Sequence, residues 1–389
     1  MALCWFERIF APVGQGAFYF ERFFFQRQKD FNVVYDCGAL YPSKSKRSLV
    51  NNLFGGRDVD ILFISHFDYD HVSLIPDLIN TTNAIKLVFL PFLYEEDKKI
   101  MVALYRVLEE ELASDYGFVA DLIENPRNIF GDDSVIIEIM PWEEENERRE
   151  EEIDLDSILM SGQGISEQIR SGSRFLKRNC WLYVPYNFYH SRNAKKLKRM
   201  LRKVGIDVDR FVNNESYLKN LIEDRNCRRK IRKVYNKLEG NINSNSLVVY
   251  SGPLRGCRFR SFSEFLLRSF SEFLLFGRRK IYIYDGVDSW KRAGCLYTGD
   301  INLTDGRFIL RSIFSKYWKE IGTIQVPHHG SKKSFSSKNF RKCVCAPIST
   351  GKNPFGHPSP KTLQELISLN TCPILVTEMI GFRQFGYAW

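Results

Sequence analysis

A chain of 389 residues with 44% apolar and 14% aromatic content can bury a large core, as one big domain or two smaller ones, which excludes a disordered protein. Its net charge of +10 favours acidic partners, nucleic acid first among them. Nine scattered cysteines without a CxxC pair imply reduced thiols, the N-terminus lacks a secretory signal pattern, and no apolar run is long enough to span a bilayer; the expectation is a soluble, cytoplasmic protein with no membrane partner.

In chain order, Phe18–Phe20 and Phe31–Asp36 read as strands of an opening hairpin or meander, with Gly14-Gln15-Gly16 before the first and Cys37-Gly38 closing the second. The apolar run Ile61–Ile64 reads as a buried strand. Directly after it, His66-Phe67-Asp68-Tyr69-Asp70-His71 places four potential metal ligands in six residues. They fall on the turn leaving the C-terminal end of a strand, where α/β folds place their chemistry, and the histidine–carboxylate mixture suits one or two divalent ions. A short helix is expected from about Ser73, a strand over Lys86–Leu90, helical periodicity over Tyr94–Tyr116 and a strand over Val135–Met140 ended by Pro141. This alternation implies α/β with mixed sheets.

Composition shifts after Trp142. Glu143–Glu152 is an almost continuous charged run, and Ser157–Ser173 reads as a mobile loop. Trp181–Tyr186 reads as a strand. Two basic helical segments follow, one with Lys195, Lys196, Lys198, Arg199, Arg202 and Lys203, the other with Arg225, Arg228, Arg229, Lys230, Arg232 and Lys233. The apolar stripe Leu197, Met200, Leu201 fits a helix docked on a core with solvated lysines outward; a phosphate-tracking surface is the functional reading of the same pattern. Strands return at Ser246–Tyr250 and Lys280–Tyr284. Between them Arg260–Leu267 is repeated without change as Arg268–Leu275, a duplication that would extend a hairpin or form a helical excursion.

Three later segments complete the first cluster. Leu296-Tyr297-Thr298-Gly299-Asp300 ends a strand on a tight turn, Val326-Pro327-His328-His329-Gly330-Ser331 opens a loop from another, and Gly356-His357-Pro358 follows. Five of the six histidines, all but His190, fall in these clusters, a partition that packing alone does not produce.

The motif set resembles the metallo-β-lactamase-fold hydrolases, and within them the hydrolase domain of ComEC-type bacterial competence DNA-uptake proteins and its free-standing relatives. Val13–Gly16, Asp36-Cys37-Gly38, Ser65–His71, Asn243–Ser246, Thr298-Gly299-Asp300, His328-His329-Gly330-Ser331 and Gly356-His357-Pro358 match that family's motifs in order, over about residues 1–142 and 241–389. The resemblance implies a four-layer αβ/βα sandwich built from a first core part (1–142) and a second (241–389), with a large, mainly helical insertion over 143–240. It implies hydrolysis by metal-activated water at a site where the two sheets meet. By the family pattern His66 and Asp68 serve one metal, Asp70 and His71 the other, and Asp300 bridges. One of His328 and His329 is a ligand, with His329 slightly favoured, and the other orients a ligand or touches substrate. Asp70 and His357 are the catalytic candidates, His357 as substrate contact or proton donor at the mouth. Ser331, Lys332 and Lys333 are placed to hold a phosphate.

The chain departs from the wider superfamily in having Asp68 where many members have histidine, and in lacking a further histidine before Asp300 other than His190. An oxygen-rich site favours Mn²⁺ or Mg²⁺, with Zn²⁺ the alternative. Ala17, Val72 and Ser73 replace family residues beside the site. The function expected is a metal-dependent phosphodiesterase, a nuclease on DNA or RNA. The rivals are a hydrolase of small phosphodiesters, lactones or thioesters, and a non-catalytic module of a multi-protein (defence) system that binds a protein partner through 143–240 or the duplicated 260–275.

Overall fold

Two mixed β-sheets stack face to face, each covered on its outer side by helices or loops, in the computed structural model of the chain. It describes residues 3–112, 115–143, 151–161, 165–178, 180–238, 245–254, 259–267, 292–342 and 344–388. The first part contains β1 (Leu3–Phe10), β2 (Phe18–Phe25), β3 (Phe31–Cys37), α1 (Lys44–Phe54), β4 (Asp58–Phe63), α2 (Tyr69–Val72), α3 (Ile75–Thr81), β5 (Ala84–Pro91), α4 (Glu95–Leu112), α5 (Asp115–Glu124), α6 (Pro126–Phe130) and β6 (Val135–Ile139). Then come β7 (Glu152–Asp154), α7 (Leu155–Ser161), β8 (Gln168–Ile169), β9 (Arg174–Lys177), β10 (Trp181–Tyr189), α8 (Ser191–Lys203), α9 (Val208–Asn213), α10 (Glu215–Glu223) and α11 (Arg225–Leu238). The last part holds β11 (Asn245–Pro253), β12 (Phe259–Leu267), β13 (Gly294–Tyr297), α12 (Leu310–Ile313), β14 (Ile321–Ile324), β15 (Cys345–Ser349), α13 (Pro360–Ser368), β16 (Cys372–Val376) and β17 (Ile380–Ala388).

One sheet runs β12-β17-β1-β2-β3-β4-β5-β6-β8 and the other β16-β15-β14-β13-β11-β10-β9-β7. Strand alternation explains the layering. In β4 and β5, Ile61, Phe63, Leu87 and Phe89 point between the sheets, while Leu62, Val88 and Leu90 point to the helices. In β10, Trp181 and Tyr183 point inward and Leu182 and Val184 outward. Three apolar layers result, one between the sheets and one outside each, which is the four-layer αβ/βα sandwich that the motifs imply.

A buried polar network crosses the middle layer. Arg8 Nε meets Glu21 Oε1 at 2.7 Å, and Glu21 also accepts from Tyr297, Tyr183 and Ser251. Arg8 donates onward to the Ala293 carbonyl and to Gln384. Both oxygens of the buried carboxylate are thus engaged, and the partners together come from both sheets, which fixes their register against each other.

Several elements differ from the sequence expectation. The ligand cluster itself ends in an unforeseen helical turn, α2, capped by Ser73, and the helix expected from about Ser73 is α3, which starts at Ile75. Tyr94–Tyr116 is helical in α4 up to Leu112 and again from Asp115 in α5, with residues 113–114 outside the described residues. Ser157–Ser173 is not wholly loop, because Ile158 and Ile169, apolar residues among polar ones, are buried between the sheets and carry α7 and β8. The first copy of the duplication is β12, paired with β17 along its whole length; the second copy, the expected strand Lys280–Tyr284, Asn243 and most of the acidic run lie outside the described residues. β1 escaped notice because Glu7 and Arg8 interrupt its apolar pattern, yet both are buried and paired. The stretch 143–240 is mainly helical but also supplies β10, which pairs with β11 from Trp181↔Pro253 to Tyr189↔Asn245. Its helices α9, α10 and α11 pack on α4, and α8 packs on α9 and α11. Among the described residues no helix is long and apolar enough to cross a membrane.

Candidate metal centre

Asp36, Gly38 and the turn after β4 form one wall. Parallel pairing of β3 with β4 brings Asp36 beside Ser65, so that Asp36 Oδ1 accepts the Ser65 N–H at 2.7 Å and Oδ2 accepts the Ser65 hydroxyl at 2.6 Å. The turn then enters α2, which carries Asp70 and His71. Glycine is required at position 38, where a Cβ would stand 2.5 Å from the Asp70 carbonyl oxygen. The opposite wall comes from the second sheet. Gly299 takes a left-handed φ of +52° and presents Asp300, whose N–H donates to Ser246 Oγ, while Gln325 Oε1 accepts from Thr298 N–H. A single 3₁₀ turn, His328–Gly330, follows β14. Asp36, His328 and His329 all have φ near +50°, and such strain in non-glycine residues persists only where the surroundings over-determine it.

Hydrogen bonds fix how the imidazoles face. The Ser65 hydroxyl has one proton, given to Asp36 Oδ2, so at 2.8 Å it accepts from His66 Nδ1–H. His71 Nδ1–H donates to Asp36 Oδ2 at 2.8 Å. His329 Nδ1–H donates to the Ser349 carbonyl at 3.0 Å. All three rings are therefore tethered by Nδ1 and turn Nε2 inward. There His66 Nε2 lies 3.4 Å from Asp68 Oδ2 and 3.8 Å from Asp300 Oδ2, His71 Nε2 lies 3.4 Å from Asp300 Oδ1, and His329 Nε2 lies 3.0 Å from Asp70 Oδ2. The buried Nε2 atoms of His66 and His71 make no hydrogen bond among the described residues. Converging imidazole nitrogens and carboxylate oxygens, of which His329 and Asp70 are hydrogen-bonded while the Nε2 atoms of His66 and His71 are not, are the donor set of a cation site.

Two three-donor groups emerge, His66–His71–Asp300 and Asp70–His71–His329, and His71 belongs to both. The remaining carboxylate, Asp68, flanks His66 and receives the Tyr105 hydroxyl at 3.3 Å. Although burial opposes it, His328 and His71 hold Asp300 well below the usual carboxylate range. Asp70 is drawn down to about 2 against the effect of burial, by the hydrogen bond from His329 and the nearby His71. Burial works against charge on His71 and His329 too, but Asp300 and Asp36 raise the first and Asp70 the second. Burial raises Asp68. Carboxylates driven to the anion in a pocket of this kind concentrate negative charge that a divalent ion can balance in place of imidazole protons. Asp70 and Asp300 are the most exposed members of the cluster, so access is from their side.

A family model described as the metallo-β-lactamase superfamily matches residues 22–99. That segment runs from β2 into α4 and contains His66, Asp68, Asp70 and His71, but none of Asp300, His328, His329 and His357. Among solved structures, a long-form RNase Z from yeast is similar with a TM-score of 0.34 and 9% identity, covering 89% of this chain and 37% of that one, so the chain spans little more than a third of its length. No curated protein matches the chain in sequence. The partial match, the sandwich and the His/Asp donor groups together support a metal-dependent hydrolase as the general class.

The other residues singled out from sequence divide. His328 is not in a three-donor group; its N–H donates to Asp300 Oδ1 at 3.1 Å and its ring Nδ1 pairs with Ser334 Oγ. The half-buried His357 ring stands 5.7 Å from that of His328. Ser331 is buried and its hydroxyl accepts from Lys333 N–H, while Lys332 and Lys333 are exposed. Sequence motifs contained Asp36 and Ser65 without giving them a place in the site, and Tyr105 and Gln325 carried no signal at all, since their roles depend on contacts across the fold.

His190 stands apart. It is buried against Phe308, its Nε2 accepts from Asn302 N–H, and burial lowers its pKa to about 4. A histidine whose folded pKa lies below its unfolded value of about 6.5 binds its proton first in the unfolded chain. Its contribution to stability is therefore complete above pH 6.5 and lost as pH falls towards 4, by up to about 3 kcal/mol. Urea unfolding at pH 7 and pH 4.5 should show a smaller acid loss for His190→Asn than for the parent; equal losses would exclude this assignment.

Proposed function

We propose that the chain is a metal-dependent phosphodiesterase, a nuclease related to the ComEC-type hydrolases, that holds one or two divalent ions, Mn²⁺ or Mg²⁺ before Zn²⁺. The observation that supports this best is the inward convergence of the His66, His71 and His329 Nε2 atoms on the carboxylates of Asp68, Asp70 and Asp300. Asp300 has one oxygen towards His66 and the other towards His71, which suits it to be the shared carboxylate. When bound, such ions lower the pKa of a coordinated water and polarise a phosphoryl oxygen. Asp36 and Ser65 keep His66 and His71 in the one tautomer that leaves Nε2 free to ligate. Asp70, on the open side, stays ionised at any pH near neutrality and can align an attacking water. His328 and His357 form the opposite lip, where His357 serves as substrate contact or proton donor, and the exposed Lys332 and Lys333 add positive charge beside it.

The test is cleavage of single- and double-stranded DNA and RNA, and of the small diester bis(p-nitrophenyl) phosphate, with Mn²⁺, Mg²⁺ or Zn²⁺. Metal-dependent cleavage of polynucleotide is expected. Turnover of the small diester alone would move the substrate to small molecules, and no turnover with any metal would sink the reading.

A further inference from the structure

The positive charge of this chain is not spread over its surface. Residues 191–238 hold 16 of the 56 Lys and Arg but only 5 of the 46 Asp and Glu, so the remainder of the chain, with 40 against 41, is close to neutral. Within that stretch α8 and α11 each carry seven cations and no acid. Three of these cations pair with α4, Lys198 with Glu96, and Arg228 and Arg232 with Glu111. The other eleven are exposed and make no ion pair among the described residues.

Their spacing is regular. On α8, Arg192, Lys195, Lys196, Arg199, Arg202 and Lys203 recur every three or four residues. On α11, Arg225, Arg229, Lys233 and Lys237 recur every four. Each series is one stripe about 16–18 Å long, with charges about 6 Å apart. Like charges at this spacing weaken a helix, and Arg192 and Arg225 sit at N-termini where the helix dipole disfavours them. Among the described residues no ion pair offsets that repulsion along the two stripes.

The identity of the counter-charge follows from the other face of the same helices. Ala194, Leu197 and Leu201 of α8, and Ile231, Val234 and Leu238 of α11, are buried in the core over α4. A basic amphipathic helix that binds lipid needs its apolar face free to insert. Here that face is occupied, and only the charged stripes are available. The pair also stands close to the candidate metal centre. Tyr235 of α11 lies 6.4 Å, ring to ring, from Tyr105, whose hydroxyl is 3.3 Å from Asp68 Oδ1.

We infer that α8 and α11 form a docking surface for the phosphate backbone of nucleic acid, binding without regard to sequence and delivering the strand towards the candidate metal centre, whose open side is at Asp70 and Asp300. This rests on the phosphodiesterase reading for its purpose but can be tested apart from it. Full-length protein carrying Asp70→Asn, to suppress cleavage, is titrated with a 30-nucleotide single strand and a 30-base-pair duplex over a range of KCl. Each phosphate neutralised contributes about 0.7 (single strand) or 0.9 (duplex) to the slope of log K against log salt. Combining Lys195→Gln, Lys196→Gln, Arg199→Gln and Arg202→Gln should weaken binding at least tenfold and reduce the slope by about 2–3. The matching set on α11, Arg225→Gln, Arg229→Gln, Lys233→Gln and Lys237→Gln, should do the same. A control that removes equal charge elsewhere, at Arg311, Lys319, Lys338 and Lys342, should keep affinity within twofold. Equal losses in stripe and control variants, no polynucleotide binding by the parent, or preferential binding to phosphatidylserine vesicles would each overturn the inference. In protein that keeps Asp70 and therefore its hydrolytic activity, turnover of bis(p-nitrophenyl) phosphate that is unchanged by the stripe substitutions supports a surface separate from the chemistry. Tight, stripe-dependent binding by a protein that cleaves nothing would leave this surface standing while the phosphodiesterase reading fails.

Discussion

Asp300→Asn is expected to lower metal-dependent hydrolysis by about 10³-fold or more, the equivalent of about 4 kcal/mol of transition-state stabilisation. The two oxygens of Asp300 face different histidines, Oδ2 towards His66 and Oδ1 towards His71, so one carboxylate of the second sheet meets both histidines of the turn after β4. Its backbone is held by Ser246 and its Oδ1 also accepts the His328 N–H, contacts that an asparagine can keep in large part. The substitution therefore removes charge with little change of shape. Cleavage rates at saturating Mn²⁺, with circular dichroism to confirm the fold, check it. Retention of more than a tenth of parental activity would show that Asp300 does not have this place in the site.

Asp36→Asn should weaken Mn²⁺ binding by about 10–100-fold although Asp36 touches no metal-facing atom. The carboxylate accepts three hydrogen bonds, from Ser65 N–H, Ser65 Oγ–H and His71 Nδ1–H. An amide has only one acceptor oxygen, so either orientation sets donor against donor. One orientation forces His71 to present Nδ1 as acceptor and moves its proton to Nε2, where the lone pair is needed. The other leaves the buried Ser65 N–H unsatisfied, at a cost of about 1–3 kcal/mol. Asparagine tolerates the left-handed backbone at this position, so the fold itself is kept. Calorimetric Mn²⁺ affinity unchanged within twofold would reject the orienting role.

What was legible in the sequence was whatever sits at strand ends. The ligand turn after Ile61–Ile64, the Thr298-Gly299-Asp300 turn and the His328-His329 turn each follow an apolar run, and a short-range pattern suffices to find them. The structure brings them together because β4 and β13 lie in different sheets whose ends meet at one edge. The expected pairing of donors was less legible. It is set across the fold, where Asp300 stands between His66 and His71 and His329 turns to Asp70. Neighbours along a turn point in different directions, and only the tethering of each Nδ1 decides where a ring faces. Elements were missed where burial contradicted polarity. β1 carries a buried Glu7 and Arg8, and α7 and β8 lie in a stretch whose few apolar residues are hidden among serines and glycines. The basic helices were read from sequence as docked by Leu197 and Leu201, and both are buried; that α11 ends beside the aromatic shell of Asp68 needed the tertiary contacts of Tyr235.

The imidazoles and carboxylates at the sheet edge make up the candidate divalent-cation site on which the proposed chemistry depends. The most direct test is isothermal titration of the metal-depleted full-length chain with Mn²⁺, repeated for the double variant His71→Ala plus Asp300→Ala. The parent should bind one or two ions per chain with protons released as His71 and His329 give them up, and the variant should lose that binding. Absence of Mn²⁺, Mg²⁺ and Zn²⁺ binding by the parent, or binding that survives in the variant, would contradict a cation site there.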